Sequence, residues 1–175
     1  SLVLNGYYNT DSTGLIDLSL DFNRFQIAAL DPFASPIAEN LRGLLNGSIN
    51  INGPITKPKI DGRLNIPKAA MTISFLQTDY NLVGDPVITI NNSEIAFPEL
   101  NLRDTRFGTA GVLSGKVKHD NFKDFDIDLK IDAKELLVLN TKSEAEDAYY
   151  GTAYASGVIS VKGPPNKVKV KAVVE

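Results

Sequence analysis

A chain of 175 residues is long enough for one domain with a sizeable core, or for several rungs of a repeating structure. Its 18 basic and 21 acidic residues leave a formal charge of −3, so no broad basic field exists to hold nucleic acid or an anionic membrane surface. Cysteine is absent, which excludes a disulfide framework, thiolate catalysis and thiolate metal sites.

No apolar run reaches the ~18 residues of a membrane-spanning helix. The opening Ser1-Leu2-Val3-Leu4-Asn5-Gly6 lacks the basic-then-apolar order of a signal peptide. The chain begins and ends inside alternating patterns, closing on Lys167-Val168-Lys169-Val170-Lys171, and reads as a piece of something longer.

Period-two alternation dominates from one end to the other. Ile16, Leu18, Leu20 and Phe22 form the first set, followed by Ile49 and Ile51, Leu64 and Ile66, then Met71, Ile73 and Phe75. Ile88 and Ile90, Leu100 and Leu102, Phe125 to Ile131, Ile159 and Val161, and Val168 and Val170 continue it. Such spacing sends the apolar side chains of each strand to one face. Turn formers separate the runs, among them Asn46-Gly47, Asn52-Gly53-Pro54, Asp61-Gly62, Gly84-Asp85-Pro86 and Gly163-Pro164-Pro165. Strands of five to eight residues are expected, joined by short turns.

Two stretches read as helical. Ser35 can cap a helix with Pro36 at its first position, and Ile37, Leu41, Leu44 and Leu45 then share a face until Asn46-Gly47, predicting a short helix near 35–46. Ser143-Glu144-Ala145-Glu146 fits a capping box for a single turn.

The chain also repeats itself. Residues 16–25 lie over residues 127–136 at a shift of 111, and residues 47–54 over 157–164 at a shift of 110. Residues 1–66 thus look like an earlier copy of residues 107–175, within a single fragment spanning 1–175. A sheet that grows by repetition is expected to be an elongated, curved, open trough with an apolar concave face and two free edges.

Chemistry-bearing side chains are sparse. His119 is the single histidine, so no dyad or triad has a second one available, and beside Asp120 it reads as an exposed polar residue. Asp124, Asp126 and Asp128 have calcium-loop spacing, but Phe125, Ile127 and Leu129 alternate with them and the central glycine is missing, which fits a solvated strand face. Gly108, Gly111 and Gly115 are followed by no lysine-hydroxyl pair and read as turns or bulges of a curved sheet. Tyr149, Tyr150 and Tyr154 offer a stacking platform for sugar. No catalytic residue, metal site or cofactor is identified.

Residues 47–66, from Gly47-Ser48-Ile49-Asn50-Ile51-Asn52-Gly53-Pro54 through Ile60-Asp61-Gly62-Arg63-Leu64, follow a G-x-φ-x-φ-x-G-x-φ-x-x-P-x-φ-x-G-x-φ line, where φ is apolar. Ala69-Ala70-Met71-Thr72-Ile73-Ser74-Phe75 and Tyr80 come after it. Asp104 to His119 carry a D-x-x-x-G-x-A-x-x-x-x-G-x-φ-x-H element, and Tyr149 to Pro165 a further one. In this order, over residues 40–175, they resemble the TamB/AsmA-like family, in particular the C-terminal region of the Bacteroidetes type. The resemblance implies a long U-shaped β-sheet in the periplasm of a Gram-negative bacterium, anchored in the inner membrane by a helix elsewhere in the full-length protein. It also implies partnership with an outer-membrane barrel of the Omp85 class, phospholipid delivery, support of outer-membrane protein assembly, and no enzymatic activity.

Physically, lifting an acyl chain of ~16 carbons out of a bilayer costs about 0.8 kcal/mol per methylene, on the order of 12 kcal/mol in all. A continuous apolar trough removes most of that cost without chemistry. The expected lining is Leu18, Leu20, Ile49, Ile51, Leu64, Ile66, Ile73, Phe75, Leu100, Leu102, Ile127, Leu129, Ile131, Ile159 and Val161. The competing expectation is a carbohydrate-binding or adhesive β-repeat, in which the same residues fill a closed core.

Overall fold

A computed structural model describes residues 1–10, 14–34, 38–74, 76–141 and 151–174. Among them the alternating segments form thirteen strands. They are β1 (Leu2–Tyr8), β2 (Leu15–Gln26), β3 (Ala38–Arg42), β4 (Leu44–Pro54), β5 (Lys59–Asn65), β6 (Ala70–Ile73) and β7 (Thr78–Val83). There follow β8 (Val87–Asn91), β9 (Glu94–Asp104), β10 (Ala110–Asp120), β11 (Lys123–Thr141), β12 (Gly151–Gly163) and β13 (Lys169–Val174). All belong to one open antiparallel sheet, with no closed barrel.

Three of the strand divisions are breaks within a single pass of the chain. β3 continues into β4 through Gly43, β5 into β6 through residues 66–69, and β7 into β8 through Gly84-Asp85-Pro86. Pairing survives the breaks: the Ile66 N–H donates to Pro86 O at 3.0 Å and the Leu82 N–H to Ala69 O at 2.8 Å. β7 and β8 accordingly share β9, one along each half of it. The sheet is therefore a meander in which each long pass pairs with the pass before it. The breaks, together with the register shifts between Phe22 and Phe25 and between Leu113 and Gly115, lie across neighbouring passes and make a crease over which the sheet bends.

Glycine permits the tightest bends. Gly47 and Gly115 both have φ +128 within strands, facing Leu64 and Leu129. A Cβ on Gly47 would lie 2.1 Å from the Arg63 carbonyl oxygen, and one on Gly115 2.2 Å from that of Asp128. The neighbouring backbone occupies the space that any side chain would need.

Two sequence expectations change. No helix covers 35–46: residues 38–42 and 44–54 are strand, and the α-helical turn lies earlier, at Asp31–Ala34. The carboxylate of Asp31 accepts the Leu41 N–H at 2.8 Å and β3 pairs with β6, so pairing overrides the helical spacing of the leucines. Ser35, Pro36 and Ile37 lie outside the described residues, as does the capping box at 143–146. Six strands, β2, β4 and β9 to β12, run longer than the expected five to eight residues, β11 reaching 19 because no turn-forming pair interrupts residues 123–141.

The outer face carries mixed charge. Asp124 and Asp126 are exposed and Asp128 half-buried, with Lys162 and Asp128 paired at 2.8 Å. Such exposed pairs add little stability.

Gly115→Ala is expected to cost about 2–4 kcal/mol in urea denaturation, through backbone strain plus the clash with Asp128. Gly84→Ala, at φ +91 with open space around it, should lose about 1 kcal/mol. Equal losses would show that the close approach of the strands contributes nothing.

Candidate functional site

Residues directly opposite in an antiparallel ladder share a face, so the register defines what lines the concave side. One row runs Leu4, Leu20, Ile49, Gly62, Ile90, Ile95, Val117 and Ile127, crossing β1, β2, β4, β5, β8, β9, β10 and β11 without a polar residue. Seven steps of ~4.8 Å make it roughly 34 Å long, measured along the sheet. Leu18, Ile51 and Ile60 run beside it, and Leu100, Leu113, Ile131 and Ile159 form a second row farther along.

Coverage changes along this surface. Leu64, Ile73, Leu100, Leu102, Ile127, Leu129, Ile131, Ile159 and Val161 are buried within one apolar cluster. Leu18, Leu20, Ile49, Ile51 and Ile66 are only half-buried, and Leu18 and Leu20 stand outside that cluster. Phe75 lies outside the described residues. At the β1 end Leu4 is 63% exposed, whereas Ile127 at the other is 1% exposed. The trough is thus filled by its own side chains over β9 to β12 and is progressively less covered through β4 and β2 to the exposed Leu4 on β1.

A polar clasp holds the filled part. Tyr80 on β7 is fully buried, and its hydroxyl donates to the Leu137 carbonyl on β11 at 2.5 Å, reaching past β9 and β10. The Leu137 N–H donates to the Thr109 hydroxyl at 2.9 Å, and that hydroxyl donates in turn to the Asp104 carboxylate. Asp104 also accepts the N–H groups of Arg106 (3.0 Å), Phe107 (2.7 Å) and Thr109 (2.5 Å), which shapes the β9–β10 turn. Burial works to raise its carboxyl, but these donors outweigh it and hold Asp104 below the usual carboxylate range. Burial pushes the Tyr80 phenol far up, so it remains a neutral donor.

His119 corrects its sequence reading: it is 6% exposed. It shares the inner face with Val117, stacks on Phe122 at 4.7 Å and meets Phe125 edge-on. Its Nδ1 accepts the Phe122 N–H at 3.2 Å, leaving Nε2 buried without a partner. Burial lowers its pKa against the opposing pull of Asp120, so the imidazole is held neutral.

Of the three tyrosines weighed for sugar stacking, Tyr149 and Tyr150 lie outside the described residues. Tyr154 is exposed beside Phe107, centroids 5.7 Å apart and planes at 64°, so the two rings offer no common flat platform. A cleft of about 400 Å³ lies at the β11–β12 end, where Asp126, Asp128, Lys162 and Lys169 surround Ile127, the last member of the first row. Among the described residues no cluster of metal-ligating side chains occurs, and no helix is long and apolar enough to cross a membrane.

Sequence reading missed Leu4, Ile60, Ile95 and Val117 as lining. Val117 was legible from its period-two spacing with Leu113 and Gly115; Leu4 was legible from Leu2.

A family model described as the TamB C-terminal domain matches residues 1–110 and 99–175, two overlapping segments that cover the whole chain. The chain belongs to the TamB family. At the level of the family, TamB proteins belong to the cell envelope and to outer-membrane assembly, as a non-enzymatic transport and assembly module. No curated protein and no solved structure matches it. The all-β open sheet agrees with the TamB assignment.

Tyr80→Phe should lower stability by about 1–3 kcal/mol, since a buried carbonyl on β11 loses its donor. A urea midpoint equal to that of the parent would show that the clasp contributes nothing. Because the folded pKa of His119 is depressed, its stabilising contribution is full above the unfolded value of ~6.5 and is lost as pH falls from there through the folded value. His119→Gln, which keeps an acceptor for the Phe122 N–H, should flatten stability between pH 7 and pH 5. Parallel pH profiles for the two proteins would remove His119 as the cause.

Proposed function

We propose that the concave face carries phospholipid acyl chains through the periplasm between inner and outer membrane. In this reading the full-length protein is anchored in the inner membrane and works with an outer-membrane barrel of the Omp85 class. The supporting observation is the unbroken apolar row from Leu4 to Ile127, in which Leu4 is exposed and Leu20 and Ile49 are half-buried. Uncovered aliphatic side chains on a concave face are costly in water at ~25 cal/mol per Å², and an acyl chain laid along them removes that cost while its head group stays in solvent.

The exposed Leu4 and the half-buried Leu18, Leu20, Ile49 and Ile51 set where lipid touches. The buried members, Leu64, Ile73, Leu100, Leu102, Ile127, Leu129, Ile131, Ile159 and Val161, form the wall that holds the curvature, with Ile66 at the crease. No cofactor is required, because the step is transfer along a surface and breaks no bond.

Leu20→Asp should leave a folded protein within about 1–2 kcal/mol of the parent, because its carboxylate reaches water, while co-purified phospholipid falls several-fold in native mass spectra. Leu129→Asp should instead lose several kcal/mol, because an unpaired carboxylate is buried there. A folded Leu20→Asp protein that retains the parental lipid stoichiometry would remove this half of the face from the path.

A further inference from the structure

The hairpin from β10 to β11 turns on two residues, Asn121 and Phe122, between the paired Asp120 and Lys123. Both have positive φ, +47 and +60, as the tightest hairpin turns require. Asparagine tolerates that conformation and glycine usually follows it, but here the second position holds a phenylalanine, which the left-handed region disfavours. Something outside the turn must hold Phe122 in place.

His119 does so. The Phe122 ring lies flat on the imidazole, centroids 4.7 Å apart and planes at 12°, and the Phe122 N–H donates to Nδ1 at 3.2 Å. The histidine itself is fixed from the other side. Its own N–H donates to Ser93 O at 2.9 Å and Phe125 meets its ring edge-on. The ladder slips between the pairs Lys118–Asp126 and Asp120–Lys123, so His119 faces both Asp124 and Phe125. Phe122 is 39% exposed, a cover standing between the buried imidazole and water.

Both attachments depend on one protonation state. With Nδ1 accepting, the neutral ring carries its proton on Nε2, which is buried with no partner among the described residues. A second proton would have to go to Nδ1, where it meets the Phe122 N–H donor to donor and leaves a buried cation without an acceptor. The charged groups nearby supply none. Lys118 and Asp120 flank His119 on β10, Lys123, Asp124 and Asp126 lie across from it on β11, and Glu94 on β9 is paired with Lys116 at 2.8 Å. Asp120 accepts from the Asn121 amide at 2.7 Å. Protonation and the closed turn therefore oppose each other.

We propose that the Asn121-Phe122 turn is an acid-released lid: a proton on His119 Nδ1 detaches the Phe122 N–H, and the turn swings off the imidazole and opens this corner of the inner face to water. Val117 and Ile127, the last pair of the first apolar row, lie one step inward of His119 and Phe125. The lid thus sits where the filled part of the trough is reached from the strand ends. Coupling runs both ways, so acid opens the lid and the closed lid repels the proton. The lid operates without lipid, and lipid-free protein separates its failure from that of the acyl-chain reading.

The test is a titration of the ¹⁵N-labelled, lipid-free chain, followed by NMR from about pH 8 to about pH 5. As the imidazole takes up its proton, the protection factor of the Phe122 amide should fall at least tenfold with the same midpoint. A soluble gadolinium chelate should then begin to broaden the His119 and Phe125 ring signals, while the Leu129 and Ile131 amides keep their protection. In His119→Gln, protection at Phe122 should not change across the range. In Phe122→Gly, which suits the turn and removes the cover, the proton affinity of His119 should rise by about threefold or more. The lid is overturned by an imidazole that stays neutral throughout the range, or by a Phe122 amide that stays protected once the imidazole is charged. It is equally overturned by the parental pH dependence in His119→Gln or by unchanged proton affinity in Phe122→Gly. Loss of protection at Leu129 and Ile131 with the same midpoint would make the event global unfolding and overturn it as well.

Discussion

A single sheet with one apolar face and no second layer has only itself to bury that face against. This constraint organises the molecule. The described helical turns are too short to cover thirteen strands, so the sheet must bend until its own side chains meet. Bending a hydrogen-bonded sheet sharply requires places where the ladder yields, and the crease through Gly43, residues 66–69 and residues 84–86 supplies them. The glycines facing Leu64 and Leu129 bring the backbones closer than a side-chain-bearing residue would permit.

Bending does not proceed equally everywhere. Over β9 to β12 it is tight enough for a β7 phenol to reach a β11 carbonyl, and the apolar residues there are buried among themselves. Toward β1 the apolar face is less enclosed: Leu18 and Leu20 are half-buried and Leu4 is exposed, although Leu45 of β4 still joins the buried cluster. Asp104 and Thr109 reinforce the tight end, tying a turn to the strand that closes over it. The β1 end has no comparable buried polar tie among the described residues, and its apolar surface is the less enclosed part of the face.

Much of this was legible in the sequence. Alternation such as Ile127, Leu129 and Ile131 marks both the strand and its inward face, and the open antiparallel sheet follows from strands separated by turn residues. The helix near 35–46 was misread because Leu41, Leu44 and Leu45 satisfy a helical spacing, and only the pairing of β3 with β6 decides otherwise. Burial was not legible at all. Leu20 and Leu129 carry the same pattern, yet one is half-covered and the other enclosed, because periodicity reports which side a residue faces and not what arrives there from a distant strand. His119 shows the same limit: its polarity suggested solvent, but its position two residues after Val117 on the inner face, under Phe122 and Phe125, encloses it.

Pairing each pass with its predecessor has a developmental consequence for the architecture. Closing each hairpin brings together segments adjacent in the chain, a topology that assembles progressively from local contacts. Inserting or deleting one hairpin would change the length of the sheet by two strand spacings, roughly 10 Å, and leave the remaining pairings intact. A protein built this way can be lengthened or shortened by evolution in discrete increments, without redesigning what already folds.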